Sequence, residues 1–589
     1  MTPRNVWEQV RRLVERAGLP LHAAAWLAVV AALAFTHPVA VTDVQRGRPG
    51  SAAPTRLPLE WQGRGSHVFQ ATFHADWRTP RQLTMAADDC VEALSVDDNV
   101  VFQESCAPCK HCKYTRFRLG RLEDGPHRLQ ITVGETGGGA SLDIRQARGL
   151  DALATAVLLL AGWGVLLGAR RLRVGAGGAW VALLGLVTTT LYHVVTDHSV
   201  RSHDVAGHRE YVDHLLRSWS LPGVRQGWET WQPPLYYALS AAWAQLTSWT
   251  GVDDVHRRVQ WVAAALYLCV VLGGLVAWRR FRFTARAAWL GPVLVVLIPA
   301  HVFLSGRVNN DAIMPVFGMA LTWLGFEYAT APRARILLAT SALLLLSLLA
   351  KTSSMSLVAS AGLLVLWRDH VDGRRLVDRA RNALVLGGPS AVWLLFWFWR
   401  NHDQTGEWMY VNANLQDVLK VPNVAYKYLS FDWKAFTSEG HFNTFGGTLR
   451  ESFPTSLAAS LLTGEFTLDF VGQPLLSFLR AAFLPMLLLF LVGLFTRPEG
   501  WRVRPWLPAV LLVGVHAFFM ASYNWRFSFA CNQDARLWSP VYFPAAVVWT
   551  WGYESALERT RGPLRVAVML APVVFVALLA AFWWKFFFP

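Results

Sequence analysis

Long apolar segments alternate with short polar connections along most of this chain. An α-helix rises about 1.5 Å per residue, so about 20 apolar residues suffice to cross the roughly 30 Å hydrocarbon core of a bilayer. Each segment of that length is therefore a candidate transmembrane helix. Together with the charges described next, which orient the segments in the membrane, this pattern predicts about thirteen spans. They are 19–37, 150–169, 178–196, 258–278, 287–305, 312–330, 335–350, 352–367, 383–400, 474–496, 506–522, 537–553 and 565–584.

Arginine clusters between the apolar segments indicate the orientation of the chain. Positively charged loops are retained on the cytoplasmic side, and the clusters begin at Arg4, Arg170, Arg279, Arg333, Arg368, Arg497 and Arg559. With every cluster inside, 1–39 is a cytoplasmic N-terminus and first transmembrane helix. Residues 149–589 are then a multi-span domain with outer loops 197–257 and 401–473. The apolar stretch 233–250 has both ends outside, which predicts a juxtamembrane or re-entrant helix that does not cross.

A different pattern occupies residues 40–148, which lack any span. Apolar and polar positions alternate in "HVFQATFHA", "HRLQITV" and "ASLDIR", with Gly and Asp-Asp between the runs. This period of two predicts the strands of a β-sandwich inserted on the extracytoplasmic side. The segments "ADDCVEALSVDDNVVFQ" and "GPHRLQITVGETGGGASLDIR" resemble jelly-roll carbohydrate-binding modules of the PA14 type. Such a module would either position a glycan acceptor or act as a structural spacer.

Four of the six cysteines lie in this inserted region, at Cys90, Cys106, Cys109 and Cys112. The C-x-x-C-x-x-C spacing is compatible with zinc or iron–sulfur ligation. Outside the cytoplasm, two disulfides are the favoured interpretation, and the sequence does not choose among the three possible connectivities. Cys269 lies within a predicted span, where we expect a small buried residue.

Composition excludes one class of partner and supports another. The chain has 589 residues, of which 53% are hydrophobic and 16% charged, with a formal net charge of +15. The positive charge is explained by the loop arginines, so it does not indicate nucleic acid. The lipid bilayer is the expected partner, and we find no nucleotide-binding motif and predict no metal site. The sequence does not reveal a cofactor and leaves a divalent cation open.

Polar signals collect in four separate loops on the predicted outer face. Asp204, His208 and Tyr211 have the spacing of one helix face, and the other loops contain "SGRVNNDAIM", "LLAKTSSMS" and "CNQDARLWSP". At the outer membrane interface, cations are suited to hold the phosphate of an anionic lipid, and a carboxylate can act as a base.

Each of these signals also has a purely structural interpretation. Asp204 and the Asn310-Asp311 pair would cap helices, and His208 would be an ordinary surface histidine. Lys351 would extend its ammonium to the interface, and Arg536 would mark topology or contact lipid phosphates. Trp231 and Tyr236 would belong to an aromatic interface belt.

A family resemblance joins these loops. The stretches "HDVAGHREYV", "QPPLYY", "RVNNDA", "LLAKTSS" and "DARLWSPVYFPA", spread over about 190–553, resemble polytopic glycosyltransferases of the GT-C fold. The chain is similar there to bacterial relatives of protein O-mannosyltransferases and of lipid A aminoarabinose transferases. The resemblance implies a GT-C-like, mainly α membrane protein that takes a sugar from a polyprenyl-phosphate donor. It implies a multi-pass enzyme of the inner membrane whose active site faces the periplasm.

The candidate site has three parts. The catalytic candidates are Asp204, His208 and Glu229; the family often has Asp-Glu where this chain has His203-Asp204-Val205, so Glu229 is the candidate second carboxylate. Residues expected to bind the donor and its lipid phosphate are Lys351, Arg536, Arg307, Tyr236 and Tyr237. Residues expected to bind the acceptor or the sugar are Asn310, Asp311, Gln232 and Trp231. The acceptor is a glycan, a lipid or a protein.

Two other classes of function compete with sugar transfer. A transporter or flippase of a lipid-linked sugar would use the same cations for binding without chemistry. It lacks a clear internal repeat and a polar pair at mid-bilayer depth. A non-catalytic glycan receptor would use the β-sandwich as its working part.

Overall fold

The structure is a computed structural model, and it describes residues 23–24, 26–27, 41–46, 59–62, 65–75, 82–87, 90–103, 115–118, 123, 125–135, 139–145, 162–168, 171, 174–196, 198, 204–250, 254–410, 419–439, 448–464, 471–496 and 506–587. The described chain is mainly helical with two antiparallel sheets near its N-terminus.

Among the described residues, nine strands lie between 41 and 145. They are β1 (Val41–Arg46), β2 (Leu59–Gln62), β3 (Gly65–Ala75), β4 (Gln82–Ala87), β5 (Cys90–Val96), β6 (Asn99–Gln103), β7 (Thr115–Arg118), β8 (Gly125–Glu135) and β9 (Gly139–Arg145). One sheet has the order β1-β3-β8-β5-β6 and the other β2-β9-β4-β7. The antiparallel pairing agrees with the alternating pattern in the sequence.

The central pair of the larger sheet supplies its core. Strands β3 and β8 pair from Gly65↔Glu135 to Ala75↔Gly125. Phe69 and Phe73 of β3 and Ile131 of β8 are buried, as expected where alternate side chains face one side. Side-chain burial is not described for the smaller sheet, so the packing of the two sheets into a sandwich stays a prediction.

The helices that follow the strands are numbered in chain order. They are α1 (Gly175–Val195), α2 (Val205–Ser218), α3 (Leu235–Leu246), α4 (Val255–Trp278), α5 (Leu290–Leu297), α6 (Pro299–Leu304), α7 (Met314–Thr330), α8 (Ala334–Ala350), α9 (Met355–Val371), α10 (Leu376–Thr405), α11 (Ala425–Leu429), α12 (Trp433–Ser438), α13 (Phe453–Thr463), α14 (Gln473–Phe495), α15 (Leu507–Arg526), α16 (Tyr542–Arg559) and α17 (Gly562–Phe587). Short 3-10 segments join several of them, notably Asn310–Ile313, Thr352–Ser354 and Ala535–Val541.

Six described helical segments are long and apolar enough to cross a membrane, namely α4, Asn310–Thr330, α10, α14, α15 and α17. They coincide with six of the predicted spans and mark a multi-pass membrane protein. The predicted count of thirteen is not confirmed. The segment 287–305 is broken into two short helices, because Ile298 is extended and Pro299 begins a new helix. The first span, 19–37, lies almost entirely outside the described residues.

Three smaller predictions have different outcomes. Helix α3 has 12 residues, so it extends only about 18 Å and is too short to cross; the prediction that 233–250 stays on one side is compatible with this length. Cys269 was expected to be buried, but this prediction is wrong, because the residue is exposed on α4. The described residues contain no disulfide. Cys106, Cys109 and Cys112 lie outside them, so the disulfide prediction is not supported.

Glycines allow close backbone approaches between elements of the helical bundle. A Cβ at Gly318 of α7 would lie 1.6 Å from the carbonyl oxygen of Pro540. The absence of that Cβ lets α7 contact the 3-10 segment Ala535–Val541, which carries Arg536. A Cβ at Gly552 of α16 would likewise lie 1.7 Å from the Leu489 carbonyl oxygen of α14. Small residues of this kind are typical of helix contacts in membranes.

Candidate functional site

Ends of helices bring the predicted polar residues together. Asp204 precedes α2, and Asn310 and Asp311 precede α7. Lys351 ends α8, and Arg536 lies in the 3-10 segment before α16. The backbone of Lys351 is extended, with φ −160° and ψ 132°, so the chain leaves the helix at this residue.

The carboxylate of Asp204 faces the site and does not cap α2. Its backbone is left-handed, with φ 54°, and its side chain makes no capping hydrogen bond, so the structural interpretation as a cap is wrong. The indole Nε1 of Trp228 donates to Oδ1 at 3.2 Å, and Nη2 of Arg536 lies 3.6 Å from Oδ2. The side chain is 36% exposed. A left-handed aspartate is strained, and here the strain accompanies a carboxylate that is both held and accessible.

Lys351 forms an ion pair with Asp311 in the interior of the protein. The ammonium Nζ contacts Oδ1 of Asp311, and the two side chains are 12% and 3% exposed. The Asp311 backbone N–H donates to the side chain of Asn309 at 2.7 Å, so Asn309 rather than Asp311 caps the turn. The idea that Lys351 only extends to the interface is therefore wrong, because its charge is neutralised by a buried carboxylate.

Arg536 connects two carboxylates. Besides Asp204, its Nε lies 3.5 Å from Oδ2 of Asp534, and its backbone N–H donates to Oδ1 of Asp534 at 3.1 Å. The Arg536 side chain is 11% exposed. A guanidinium this buried is positioned by its neighbours, which does not agree with a plain surface residue that only sets topology.

His208 is buried beneath the site, so the surface interpretation of this residue is wrong. Its Nδ1 lies 2.8 Å from the Tyr237 hydroxyl, and Tyr237 stacks on Tyr211 with ring centroids 4.0 Å apart. Burial lowers the pKa of His208 to about 4, against the opposing effect of Asp204. The imidazole is consequently neutral at neutral pH.

Glu229 is the second carboxyl group of the site and is almost fully buried. Burial raises its pKa to about 8 and the charge of Asp204 adds to the rise, while Lys351, a hydrogen bond from Gln232 and Arg536 oppose it. Its Oε2 has no hydrogen-bond partner among the described residues. A Cβ at Gly207 would lie 3.0 Å from Cγ of Glu229, so this glycine of α2 leaves the space that Glu229 fills.

The remaining candidates have mainly structural contacts. Nδ2 of Asn310 donates to Oε1 of Gln232 and to the Ala350 carbonyl, both at 3.3 Å. The Tyr236 hydroxyl accepts from the Asn309 backbone at 3.0 Å and donates to the Arg307 carbonyl at 3.5 Å.

Trp231 is half-buried in the same loop as Gln232. The hydrogen bond between Gln232 and Asn310 attaches this loop, which joins α2 and α3, to the turn before α7.

Sequence reasoning located the loops but missed several partners. Trp228, which donates to Asp204, adjoins Glu229 in "GWETWQPP", so the reasoning that selected Glu229 could also have selected Trp228. Asp534 was visible in "NQDAR", but nothing local indicated that it would share Arg536 with Asp204. Arg400 of α10 donates to the Pro222 carbonyl at 2.5 Å and stacks on Trp397. No pattern in the sequence relates that arginine to the loop before α3.

The described residues contain no group of three or more His, Cys, Asp or Glu side chains that could hold a metal ion. The functional groups that the site offers are two cations, Lys351 and Arg536, the accessible carboxylate of Asp204 and the buried carboxyl group of Glu229. Cations can bind a phosphate and stabilise a departing one, and an accessible carboxylate can accept a proton.

Comparisons with known proteins add little to this geometry. No protein-family model matches the chain, and no curated protein is similar in sequence. Nine chains of solved structures match, among them the arabinosyltransferase EmbB from Mycobacterium smegmatis, with 12% identity and a TM-score of 0.34 over 94% of this chain and 54% of that one. This chain thus spans about half the length of that structure's chain. We base neither fold nor activity on a likeness of this size.

Proposed function

We propose that the protein is a glycosyltransferase that moves a sugar from a polyprenyl-phosphate donor to an acceptor on the extracytoplasmic face of the inner membrane. The observation that carries the proposal is the contact between Asp204 and Arg536, beside the ion pair of Lys351 and Asp311. It supports the proposal because an accessible carboxylate contacts one cation, and a second cation belongs to the same group of helix ends. All four residues lie at helix ends, where a lipid phosphate would sit while its hydrocarbon chain stays in the bilayer.

In the proposed reaction the acceptor hydroxyl or amine attacks C1 of the donor sugar. Asp204 takes the proton of the acceptor, the new bond to C1 forms, and the C1–O bond to phosphate breaks. The bonding electron pair leaves with the polyprenyl phosphate. A positioned base contributes about 10²–10⁴-fold to such a step. A single displacement inverts the anomeric centre.

Lys351 and Arg536 would act on the phosphate. Both are already paired with carboxylates, so the donor phosphate would share these cations with Asp311 and Asp204. A charge-assisted hydrogen bond contributes roughly 1.5–3 kcal/mol. Negative charge develops on the phosphate as the C1–O bond breaks, so the same cations would stabilise the transition state more than the bound donor.

The decisive experiment is single-turnover transfer from a synthetic polyprenyl-phosphate sugar by the detergent-purified protein, with donor binding measured on the same samples. We expect Asp204→Asn to reduce turnover by about two to four orders of magnitude while donor affinity changes little, because the base acts on the acceptor. Asp403→Asn is the matched control, since this exposed carboxylate at the end of α10 lies outside the site.

Near wild-type turnover in Asp204→Asn would remove this residue from the mechanism. A wild-type protein that binds the donor, releases no sugar and moves the donor across vesicle membranes would instead be a transporter.

The orientation is tested independently of activity. The proposal places residues 40–148 and 401–473 on the same outer side, so an impermeant thiol reagent added from outside should label both Ser66→Cys and Ser438→Cys above the background of the native cysteines. Labelling of only one of the two would contradict the proposed threading.

A further inference from the structure

The buried carboxyl group of Glu229 is held in the site without a partner for one of its oxygens. Its Oε2 has no hydrogen-bond partner in the described part of the chain. A buried polar atom left unpaired costs about 1–3 kcal/mol, so such atoms in folded proteins call for an explanation. The absent side chain of Gly207 makes room for Glu229 in this position.

The surroundings of Glu229 are charged on several sides. Its carboxyl group is acted on by the charges of Asp204, Lys351 and Arg536 and by a hydrogen bond from Gln232, and it acts in turn on the hydroxyls of Tyr237 and Tyr523. Its environment is the opposite of that of Asp204, which is exposed and lies next to Arg536. A buried carboxyl group next to an accessible one that contacts a cation is an arrangement suited to an acid and a base.

Glu229 shares its surroundings with the cations that the proposed function assigns to the phosphate. Lys351 and Arg536 both act on its carboxyl group, and each is already paired with a carboxylate, Asp311 and Asp204 respectively. As the C1–O bond breaks, negative charge develops on the departing phosphate oxygen. A proton donated to that oxygen neutralises the charge at the atom where it forms.

We propose that Glu229 is the general acid that protonates the departing phosphate oxygen while Asp204 deprotonates the acceptor. The inference rests on the proposed function and assigns a role that this function does not require. The C1–O bond breaks, its electron pair goes to the phosphate oxygen, and the proton of Glu229 goes to that oxygen. Asp204 ends the step protonated and Glu229 ionised, and a proton passes from Asp204 to Glu229 through water to restore the site.

The test compares pH profiles of single-turnover transfer for the wild type and Glu229→Gln. Glutamine keeps the shape and can donate a hydrogen bond, but it carries no transferable proton. We expect the wild-type rate to fall above about pH 8, since burial raises the pKa of Glu229 to that region. Glu229→Gln should be slower by about 10²-fold or more at pH 7, with that alkaline decline absent and donor affinity unchanged. Glu407→Gln, at an exposed site beyond α10, is the control.

A second measurement does not depend on activity. Infrared spectroscopy of the purified protein should show a protonated-carboxyl band at pH 7 that is lost in Glu229→Gln and titrates near pH 8. An ionised Glu229 at pH 7 overturns the inference. Wild-type rates and an unchanged alkaline decline in Glu229→Gln also overturn it, while the proposed function stands. If the wild type transfers no sugar, the proposed function fails and the acid role of Glu229 fails with it.

Discussion

Asp204 and Arg536 lie far apart in the sequence, and their side chains meet at 3.6 Å. The contact joins the start of α2 to the segment before α16, so two loops far apart in the chain build the same site. Trp228 holds the other oxygen of Asp204 at 3.2 Å. The carboxylate is consequently fixed from two sides and remains accessible, which a base requires.

Removing the cation from this contact should weaken donor binding. In Arg536→Ala we expect donor affinity to fall about ten- to a hundredfold, because a charge-assisted contact of roughly 1.5–3 kcal/mol is lost. Arg536→Lys should recover part of the affinity but not all, since a lysine does not reproduce the planar guanidinium between two carboxylates. Equilibrium binding of a fluorescent polyprenyl phosphate measures the effect, with the exposed Arg526→Ala as control. Unchanged affinity in Arg536→Ala would exclude this arginine from the phosphate site.

Removing the ammonium of Lys351 should cost stability as well as binding. Lys351→Met keeps much of the side-chain volume but leaves the carboxylate of Asp311, which is 3% exposed, without its cation. Breaking a buried pair in this way costs about 3–5 kcal/mol. The double variant Lys351→Met/Asp311→Asn should recover most of that loss, and neither variant should recover donor affinity. Thermal unfolding in detergent and donor binding measure the two effects separately. A single variant as stable as the wild type would show that the ion pair is not buried in solution.

The neutral state of His208 predicts a pH dependence of stability. Burial lowers its pKa to about 4, below the ordinary value of 6.5. Between these values the unfolded chain binds a proton that the folded protein does not, so stability falls as the pH drops from about 6.5 towards 4. The contribution amounts to about 3 kcal/mol.

This contribution should be missing in His208→Gln. Its unfolding midpoint should fall less steeply than that of the wild type over the same pH range, whereas the exposed His402→Gln should behave as the wild type. Parallel curves for wild type and His208→Gln would contradict the buried, neutral histidine.

The crossing of α14 and α16 should tolerate no additional side chain. A Cβ at Gly552 would lie 1.7 Å from the Leu489 carbonyl oxygen and 2.8 Å from the Gly493 backbone nitrogen. Both neighbours are backbone atoms, so Gly552→Ala must separate the two helices and should cost about 1–3 kcal/mol or more. Gly514→Ala in α15 meets nothing within 4 Å and should change stability by less than about 1 kcal/mol. Unfolding midpoints of the two variants in detergent measure the difference. Equal midpoints would contradict the close backbone contact at this crossing.

The sequence by itself determined where the six long apolar helices lie and which connections carry charge. Apolar runs of helical length predicted segments that coincide with the six membrane-length helices, because a helix in lipid must satisfy its backbone internally and cover itself with apolar side chains. The alternation in 40–148 predicted antiparallel strands for a similarly local reason. The polar residues of the outer loops stood out against these apolar segments, so Asp204, Lys351 and Arg536 were all identifiable.

Only the tertiary structure decided what each polar side chain does. Whether Asp204 caps α2 or faces Arg536, and whether Lys351 reaches the interface or pairs with Asp311, depends on contacts between helix ends that are distant in the chain. Those contacts depend in turn on close backbone approaches such as that of Gly318 to Pro540. The burial that raises the pKa of Glu229 arises in the same way, because the dielectric around a side chain is set by what packs against it and not by its neighbours in sequence.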